Sequence, residues 1–383
     1  MHLDVEAPGR VNLIGEHIDY LGLSVLPMAI PRRVRLRVRP RADARVRIEP
    51  ADASLAPREF ELAAPIPPFD AGDWGNYAKA AANELLADLH EPRGFDAELE
   101  SDIPVAAGLS SSSALVVAVG LALLRVNGLA LPPLEMAERM ARAELYVGTR
   151  GGGMDQAICL LAQEGHAARI DFLPLHAEPI AVPEDWRFVI ADSGVRAEKS
   201  GAARDAYNER TQQCVEALAL LTAALGAPAS TYRRLLAQYP LEALLQQARD
   251  RLPILLHARF RHVSTEAYRV VAAEHALRAG DAAALGALMD ASHDSLRDNY
   301  QVSTPELDAM VTIARRAGAA GARLTGAGFG GCIVALGSEK TCDAIRSALE
   351  REYFAGRALD RPLADSLLEA RPAAGAIVRS LGD

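Results

Sequence analysis

The 383-residue chain has only four cysteines, Cys159, Cys214, Cys332 and Cys342, scattered without a CxxC pair or a histidine at ligand spacing. That disfavours a disulfide framework and a structural zinc site, and points to reduced thiols in a cytoplasmic protein. No run of lysine and arginine occurs; 41 basic residues against 50 acidic ones give a net charge of −9 and an isoelectric point near 5.6. Binding of nucleic acid or of an anionic membrane through a basic surface is therefore not expected. Long apolar runs are also missing, and Ala114 to Leu124, the longest, falls well short of the roughly 20 residues that span a bilayer. The start, Met1-His-Leu-Asp-Val-Glu6, shows neither the basic nor the apolar segment of a secretory signal. Internal repeats and low-complexity linkers are absent.

What is present is ordinary in bulk, with half the residues hydrophobic and 24% charged, as in a globular enzyme. The length suggests two domains. A boundary near Pro183-Glu-Asp-Trp186 would give an N-terminal domain of 1–184 and a C-terminal one of 185–383. Val34-Arg-Leu-Arg-Val-Arg39 and Val46-Arg-Ile-Glu49 alternate apolar and charged residues, which predicts half-exposed antiparallel strands. Phe95 to Glu100 alternates again. Trp74 to Leu89 and Leu134 to Val147 carry helical periodicity, and an apolar helix opens at about Ser111. Arg187 to Ala191 reads as a buried strand, Ala203 to Ala317 as long helices, Gly318 to Leu336 as strand, glycine turn and strand, and Ala374 to Leu381 as a last strand. Strands and helices mix without a strict βαβ repeat, so the expected class is α+β.

Four segments carry chemistry. Gly9-Arg-Val-Asn-Leu-Ile-Gly-Glu-His-Ile-Asp-Tyr20 places Arg10, Glu16, His17 and Asp19 among anchoring apolar residues. Carboxylates accept paired hydrogen bonds from vicinal hydroxyls, imidazole donates or accepts, and a guanidinium suits phosphate oxygens. The set fits a polyhydroxylated ligand beside a phosphoryl group, or else a solvated turn. Pro104-Val-Ala-Ala-Gly-Leu-Ser-Ser-Ser-Ser-Ala114, between a strand and an apolar helix, offers backbone N–H groups, hydroxyls and a helix N-terminus to a phosphate, or is a linker. It is not a Walker A loop, since no GK[ST] follows. Asp155, after Gly151-Gly-Gly-Met154, faces a cleft or caps the next helix. Leu324-Thr-Gly-Ala-Gly-Phe-Gly-Gly-Cys-Ile333 is a glycine turn between strands.

Together these segments identify the chain as similar to the galactokinase, homoserine kinase, mevalonate kinase and phosphomevalonate kinase superfamily, in its sugar kinase branch. Gly9 to Tyr20 resembles the galactokinase signature, continuing through Gly22, Val25, Leu26, Pro27 and Ala29. The serine loop resembles the superfamily's Pro-x-Gly-x-Gly-Leu-Ser-Ser-Ser, and Leu324 to Ile333 its third motif. The likeness covers essentially the whole chain. It implies a two-lobed small-molecule kinase with the active site in the inter-lobe cleft, using ATP and Mg²⁺ to phosphorylate the C1 hydroxyl of α-D-galactose to galactose 1-phosphate.

Residue by residue, the resemblance puts Asp155 beside the sugar's C1 hydroxyl as proton acceptor, with Arg10 keeping it ionised and stabilising the transferring phosphoryl. Glu16, His17, Asp19, Gly152 and Tyr207 fall on the sugar, the last covering it after Ser193-Gly-Val-Arg196. Gly108, Leu109, Ser110, Ser111 and Ser112 fall on the nucleotide phosphates, and Trp74 and Tyr77 near the adenine. Ser112 and Glu144 fall on the Mg²⁺ ligands. The implied partners are the sugar and ATP, with no nucleic acid or membrane, and the chain would be a monomer or weak dimer. Two departures stand out. Ala106 replaces the loop's first glycine, and the step from Glu144 to Asp155, through Gly-Gly-Gly-Met-Asp-Gln, is one residue shorter than in the common galactokinase pattern. The second resembles the branch with N-acetylgalactosamine kinases, whereas Tyr207 favours galactose. A non-catalytic sugar-sensing co-inducer is the remaining alternative, set against by the complete Ser112-Ser-Ala-Leu115.

Overall fold

Residues 2–149, 151–196, 202–227 and 231–381 are described in the computed structural model. The chain enters through β1 (His2–Ile14), which pairs antiparallel with β2 (Leu26–Pro40). Along β2, Val34, Leu36 and Val38 are buried, while Arg35, Arg37 and Arg39 lie on the other face, as period-two alternation requires. β3 (Arg45–Pro50), β4 (Arg58–Glu61), α1 (Gly75–Leu85) and β5 (Phe95–Ser101) follow. The expected antiparallel pairing holds for β3 with β4, but β3 also runs parallel to β5, which lies between it and β2. Gly94 permits this: a Cβ there would sit 1.9 Å from the Arg45 carbonyl oxygen, so only glycine lets the chain enter β5 against β3.

α2 (Ser111–Val126) packs on β1, β2 and α1, and is apolar nearly all round because it is buried nearly all round. α3 (Pro133–Ala143) meets it at Gly120, where a Cβ would collide with Met136 and Met140 at 2.6 Å. A single 3₁₀ turn (Glu144–Val147), α4 (Met154–Leu161) and the hairpin β6 (His166–Asp171) and β7 (His176–Ala181) complete this part.

β8 (Trp186–Asp192), buried at every position, opens the second sheet. Helices α5 (Ala202–Leu225), α6 (Tyr232–Gln238), α7 (Leu241–Arg251), α8 (Ile254–Arg278), α9 (Ala282–Ser295) and α10 (Pro305–Arg316) come next. β9 (Gly321–Thr325) and β10 (Cys332–Ser338) then flank the glycine turn, followed by α11 (Glu339–Leu349), α12 (Leu363–Ser366), β11 (Leu367–Ala370) and β12 (Ile377–Leu381). The four-stranded sheet has the order β11-β8-β10-β9, and the six-stranded one β12-β1-β2-β5-β3-β4. The last strand thus returns to pair with β1, so a cut after residue 184 divides the two sheets for every strand except this one.

Candidate active site

The signature segment, the serine loop and the turn before α4 converge on one cleft of about 1130 Å³. Arg10, Glu16, His17, Asp19, Trp74, Tyr77, Gly108, Ser110, Ser111, Ser112, Glu144, Gly152, Asp155 and Tyr207 all line it. Leu109 does not: its side chain lies in the core at 1% exposure, and its carbonyl accepts the Arg10 backbone N–H at 3.2 Å. Its side chain anchors the loop to the core beside the residues that line the cleft.

Asp155 is the hub. Arg10 Nε donates to its Oδ1 at 2.7 Å and Ser110 Oγ to its Oδ2 at 2.5 Å. The acid does not cap its helix, since Gly153, with φ of +94°, occupies the cap position of α4 and frees the carboxylate for the cleft. Arg10 also donates through Nη1 to the Gly108 carbonyl at 2.6 Å, so one guanidinium joins the acid to the serine loop. Burial works against its charge, but Asp155 and Glu16 outweigh it and raise its pKa further.

The serine loop lies at the N-terminus of α2, a 16-residue helix, and Ser110, Ser111 and Ser112 at that terminus line the cleft; a helix N-terminus is a ready site for an anion. The third glycine motif presses on it. A Cβ at Gly326 would sit 2.7 Å from the Gly108 carbonyl oxygen, and one at Gly331 3.0 Å from that of Ala107. Arg196 and Arg361 both donate to the Val105 carbonyl, at 2.7 and 3.2 Å. Next to it, Ala106 has φ of +57°. An L-residue in that region costs about 1–2 kcal/mol, against the roughly 0.5–1 kcal/mol of chain entropy that a glycine gives up on folding. Ala106→Gly is therefore expected to raise stability by about 0.5–1 kcal/mol and to lower KM for ATP slightly. A urea titration of both proteins checks the first, and a lower midpoint for the variant would show alanine to be the better residue.

On the sugar-signature side, Glu16 is buried and accepts from Arg323 Nη2 at 2.9 Å. Arg323, on β9 and fully buried, also donates to the Asn12 carbonyl. Behind it, Glu266 on α8 accepts from the N–H groups of Gly15 and Glu16 and from Ser292, fixing the turn. His17 has φ of +62° and uses both ring nitrogens inside the protein, Nδ1 with the Tyr20 hydroxyl at 3.2 Å and Nε2 with the Ala327 carbonyl at 3.0 Å. Burial and His262 push its pKa down to about 3. The structure thus brings His17 to the cleft wall as a neutral ring packed against Tyr20, Tyr207 and Tyr300, with both nitrogens bonded within the protein. Gly152 packs against the signature turn, since a Cβ there would lie 2.5 Å from the Asp19 carboxyl carbon. Trp74 heads α1 and donates to the Ala56 carbonyl at 3.3 Å.

Burial pushes Glu16 up to about 7, against the pull of Arg323 and Arg10, and Asp19 up to about 6, with repulsion from Asp155 adding to it. The ionised forms accept hydroxyl hydrogen bonds at both oxygens with charge assistance, whereas protonation turns one oxygen into a donor. Sugar affinity is therefore expected to fall as pH drops from 8 to 5, with protons released on binding near neutrality. In the free protein, raised carboxyl pKa values mean that the contribution to stability is full below about pH 4 and is lost as pH rises through 6–7. Calorimetry in two buffers of different ionisation enthalpy measures the proton release, and affinity independent of pH would refute it.

Sequence reasoning missed Arg323, Glu266, Tyr300 and Ser113, each of which has a partner that lies between 26 and 307 residues away in sequence. Ser113 Oγ donates to Glu144 Oε1 at 2.5 Å.

A helix terminus suited to phosphate beside a half-buried acid held by a buried guanidinium, between two α+β units, defines a small-molecule kinase of the GHMP class. Residues 76–163 match the GHMP kinases N terminal domain and 273–356 the GHMP kinases C terminal domain, while 4–40 match the galactokinase galactose-binding signature. The chain is 42% identical to a galactokinase of Chloroflexus aurantiacus over 91% of its own length and 87% of the relative's. It is 39% identical to a galactokinase of Roseiflexus over 92% and 88%. A crystal structure of Lactococcus lactis galactokinase complexed with galactose superposes with a TM-score of 0.86 at 30% identity, covering 98% of this chain and 95% of that one. Methanococcus jannaschii mevalonate kinase shares the fold, at a TM-score of 0.66 and 20% identity over 98% and 99%. The chain belongs to the galactokinase family.

Proposed function

We propose that this chain transfers the γ-phosphoryl group of ATP to the C1 hydroxyl of α-D-galactose. The observation that carries the reading is the position of Asp155, held by Arg10 from the sugar signature and by Ser110 from the phosphate loop. In the transfer, the sugar O1–H bond breaks with its proton passing to Asp155, a bond from O1 to the γ-phosphorus forms, and the bond to the β,γ-bridging oxygen breaks, releasing ADP. Arg10 keeps Asp155 anionic and offers positive charge to the phosphoryl oxygens. Glu16, Asp19 and Tyr207 hold the sugar, Ser110 and Ser111 with the α2 terminus hold the phosphates, and Trp74 and Tyr77 line the base end.

Glu144 and Ser112 present a carboxylate and a hydroxyl to the same cleft, a donor set that suits Mg²⁺. Among the described residues no three His, Cys, Asp or Glu side chains converge as a metal site. Phosphate oxygens and water would complete the shell, as is usual for this ion. When bound, Mg²⁺ would neutralise charge on the phosphates. The division into domains at 184/185 and a cytoplasmic location belong to the same reading. No helix among the described residues is long and apolar enough to cross a membrane.

The test is ³¹P NMR of a reaction of ATP with galactose, coupled to ADP release. Galactose 1-phosphate formed one-to-one with ADP is expected. ATP hydrolysis without a sugar phosphate, or phosphorylation at another hydroxyl, would overturn the assignment.

A further inference from the structure

The serine run extends one residue past the loop, and its last member has a different setting from the rest. Ser111 and Ser112 are partly exposed to the cleft, whereas Ser113 is fully buried on the first turn of α2. Serine there is otherwise a poor choice. Alanine is the better helix former, and burying a hydroxyl is unfavourable unless it is paired. The common resort of a helical serine is a bond back to the carbonyl four residues earlier. In this chain that carbonyl, Leu109, already takes the Arg10 N–H, and the Ser113 hydroxyl turns the other way. Its hydrogen goes to Glu144 Oε1 at 2.5 Å, and its oxygen lies 3.5 Å from Asp155 Oδ2.

The contact joins three elements that also pack on one another, at the level of their functional side chains. Glu144 sits on the 3₁₀ turn after α3, Asp155 on α4, and the glycine loop runs between them. Two carboxylates facing one cleft repel, so their separation has to be fixed by something other than the cation that later binds between phosphate and protein. The Ser113 hydroxyl is one group placed to contribute to this, from the same helix turn that presents Ser110 to Asp155 and Ser112 to the cleft.

We infer that Ser113 is a positioning residue: it holds the Glu144 carboxylate in the orientation that receives the nucleotide's divalent cation, at a set distance from Asp155. The inference rests on the reading of Glu144 as a metal ligand. Outer-sphere partners of this kind typically change metal affinity by 10–100-fold when removed. Ser113 itself is fully buried and does not line the cleft.

The experiment measures Mn²⁺ affinity, by electron paramagnetic resonance, in the complex of the enzyme with a non-hydrolysable ATP analogue. Ser113→Ala is expected to weaken Mn²⁺ about tenfold or more, with the galactose dissociation constant from calorimetry unchanged within about twofold and the melting temperature maintained. Should the alanine protein prove unstable, the near-isosteric Ser113→Cys, a much weaker donor, carries the same test. Glu144→Gln is run beside it. If Glu144→Gln weakens Mn²⁺ and the Ser113 variants do not, the positioning role is overturned while the reading of Glu144 stands. If Glu144→Gln leaves Mn²⁺ affinity unchanged, the reading of Glu144 fails and takes the inference with it. Equal losses of Mn²⁺ and galactose affinity in the Ser113 variants would show a merely structural hydroxyl, and would also overturn it.

Discussion

Asp155→Asn is expected to lower kcat by about 10²–10⁴, the usual contribution of a positioned general base, while leaving galactose affinity nearly unchanged. The geometry makes the substitution clean. Asparagine keeps the shape, its oxygen accepts from Arg10 Nε in place of Oδ1, and its amide donates to Ser110, whose hydroxyl rotates to accept. What disappears is the proton acceptor for O1 and the anion that holds Arg10 charged in a buried setting. Steady-state kinetics give the first quantity and calorimetry with galactose the second. A variant retaining more than about half the wild-type kcat would remove Asp155 from the chemistry. A large loss of galactose affinity with kcat intact would make it a binding residue.

Segments whose chemistry is local were the legible ones. Arg10, Glu16 and Asp19 could be read because one short turn carries a guanidinium and two carboxylates, and the helix start at Ser111 because small polar residues give way abruptly to an apolar run. The α+β class followed from period-two and helical patterns side by side, and the two sheets agree with it. What escaped was set by distant partners. The parallel pairing of β3 with β5 depends on Gly94 passing against Arg45, and β12 crosses the whole chain to reach β1. Arg323 had no cue in its neighbours, since it is an arginine in a buried strand whose partner Glu16 lies at the other end of the sequence. At His17 the sequence shows the imidazole but not its setting: only the tertiary structure reveals that Tyr20 and Ala327 bond its nitrogens.

Those same buried partners decide how strictly the sugar is read. Glu16 and Asp19 face the cleft with raised pKa values, a sign that water no longer solvates them fully and that a ligand's hydroxyls must. Glu16 is held by Arg323 and Asp19 is backed by Gly152, so neither carboxylate has room to retreat towards solvent when a hydroxyl is missing. A site built to bond a hydroxyl rejects an analogue lacking it by about 10⁴–10⁵. We therefore expect kcat/KM for glucose, which misplaces the C4 hydroxyl, to fall below that for galactose by a factor approaching this range, and sugars altered at C3 to behave likewise. In the proposed sugar site, Tyr207, whose ring packs 5.4 Å from that of His17, is expected to narrow the wall at C2, and the glycine loop provides no added space at Gly152. Galactose should accordingly have the higher kcat/KM over N-acetylgalactosamine. Both constants are measured on one preparation by coupled ADP release. A ratio favouring the N-acetyl sugar would show that the shortened step from Glu144 to Asp155 opens the pocket after all. Comparable rates with glucose would mean that Glu16 and Asp19 serve the fold rather than the sugar.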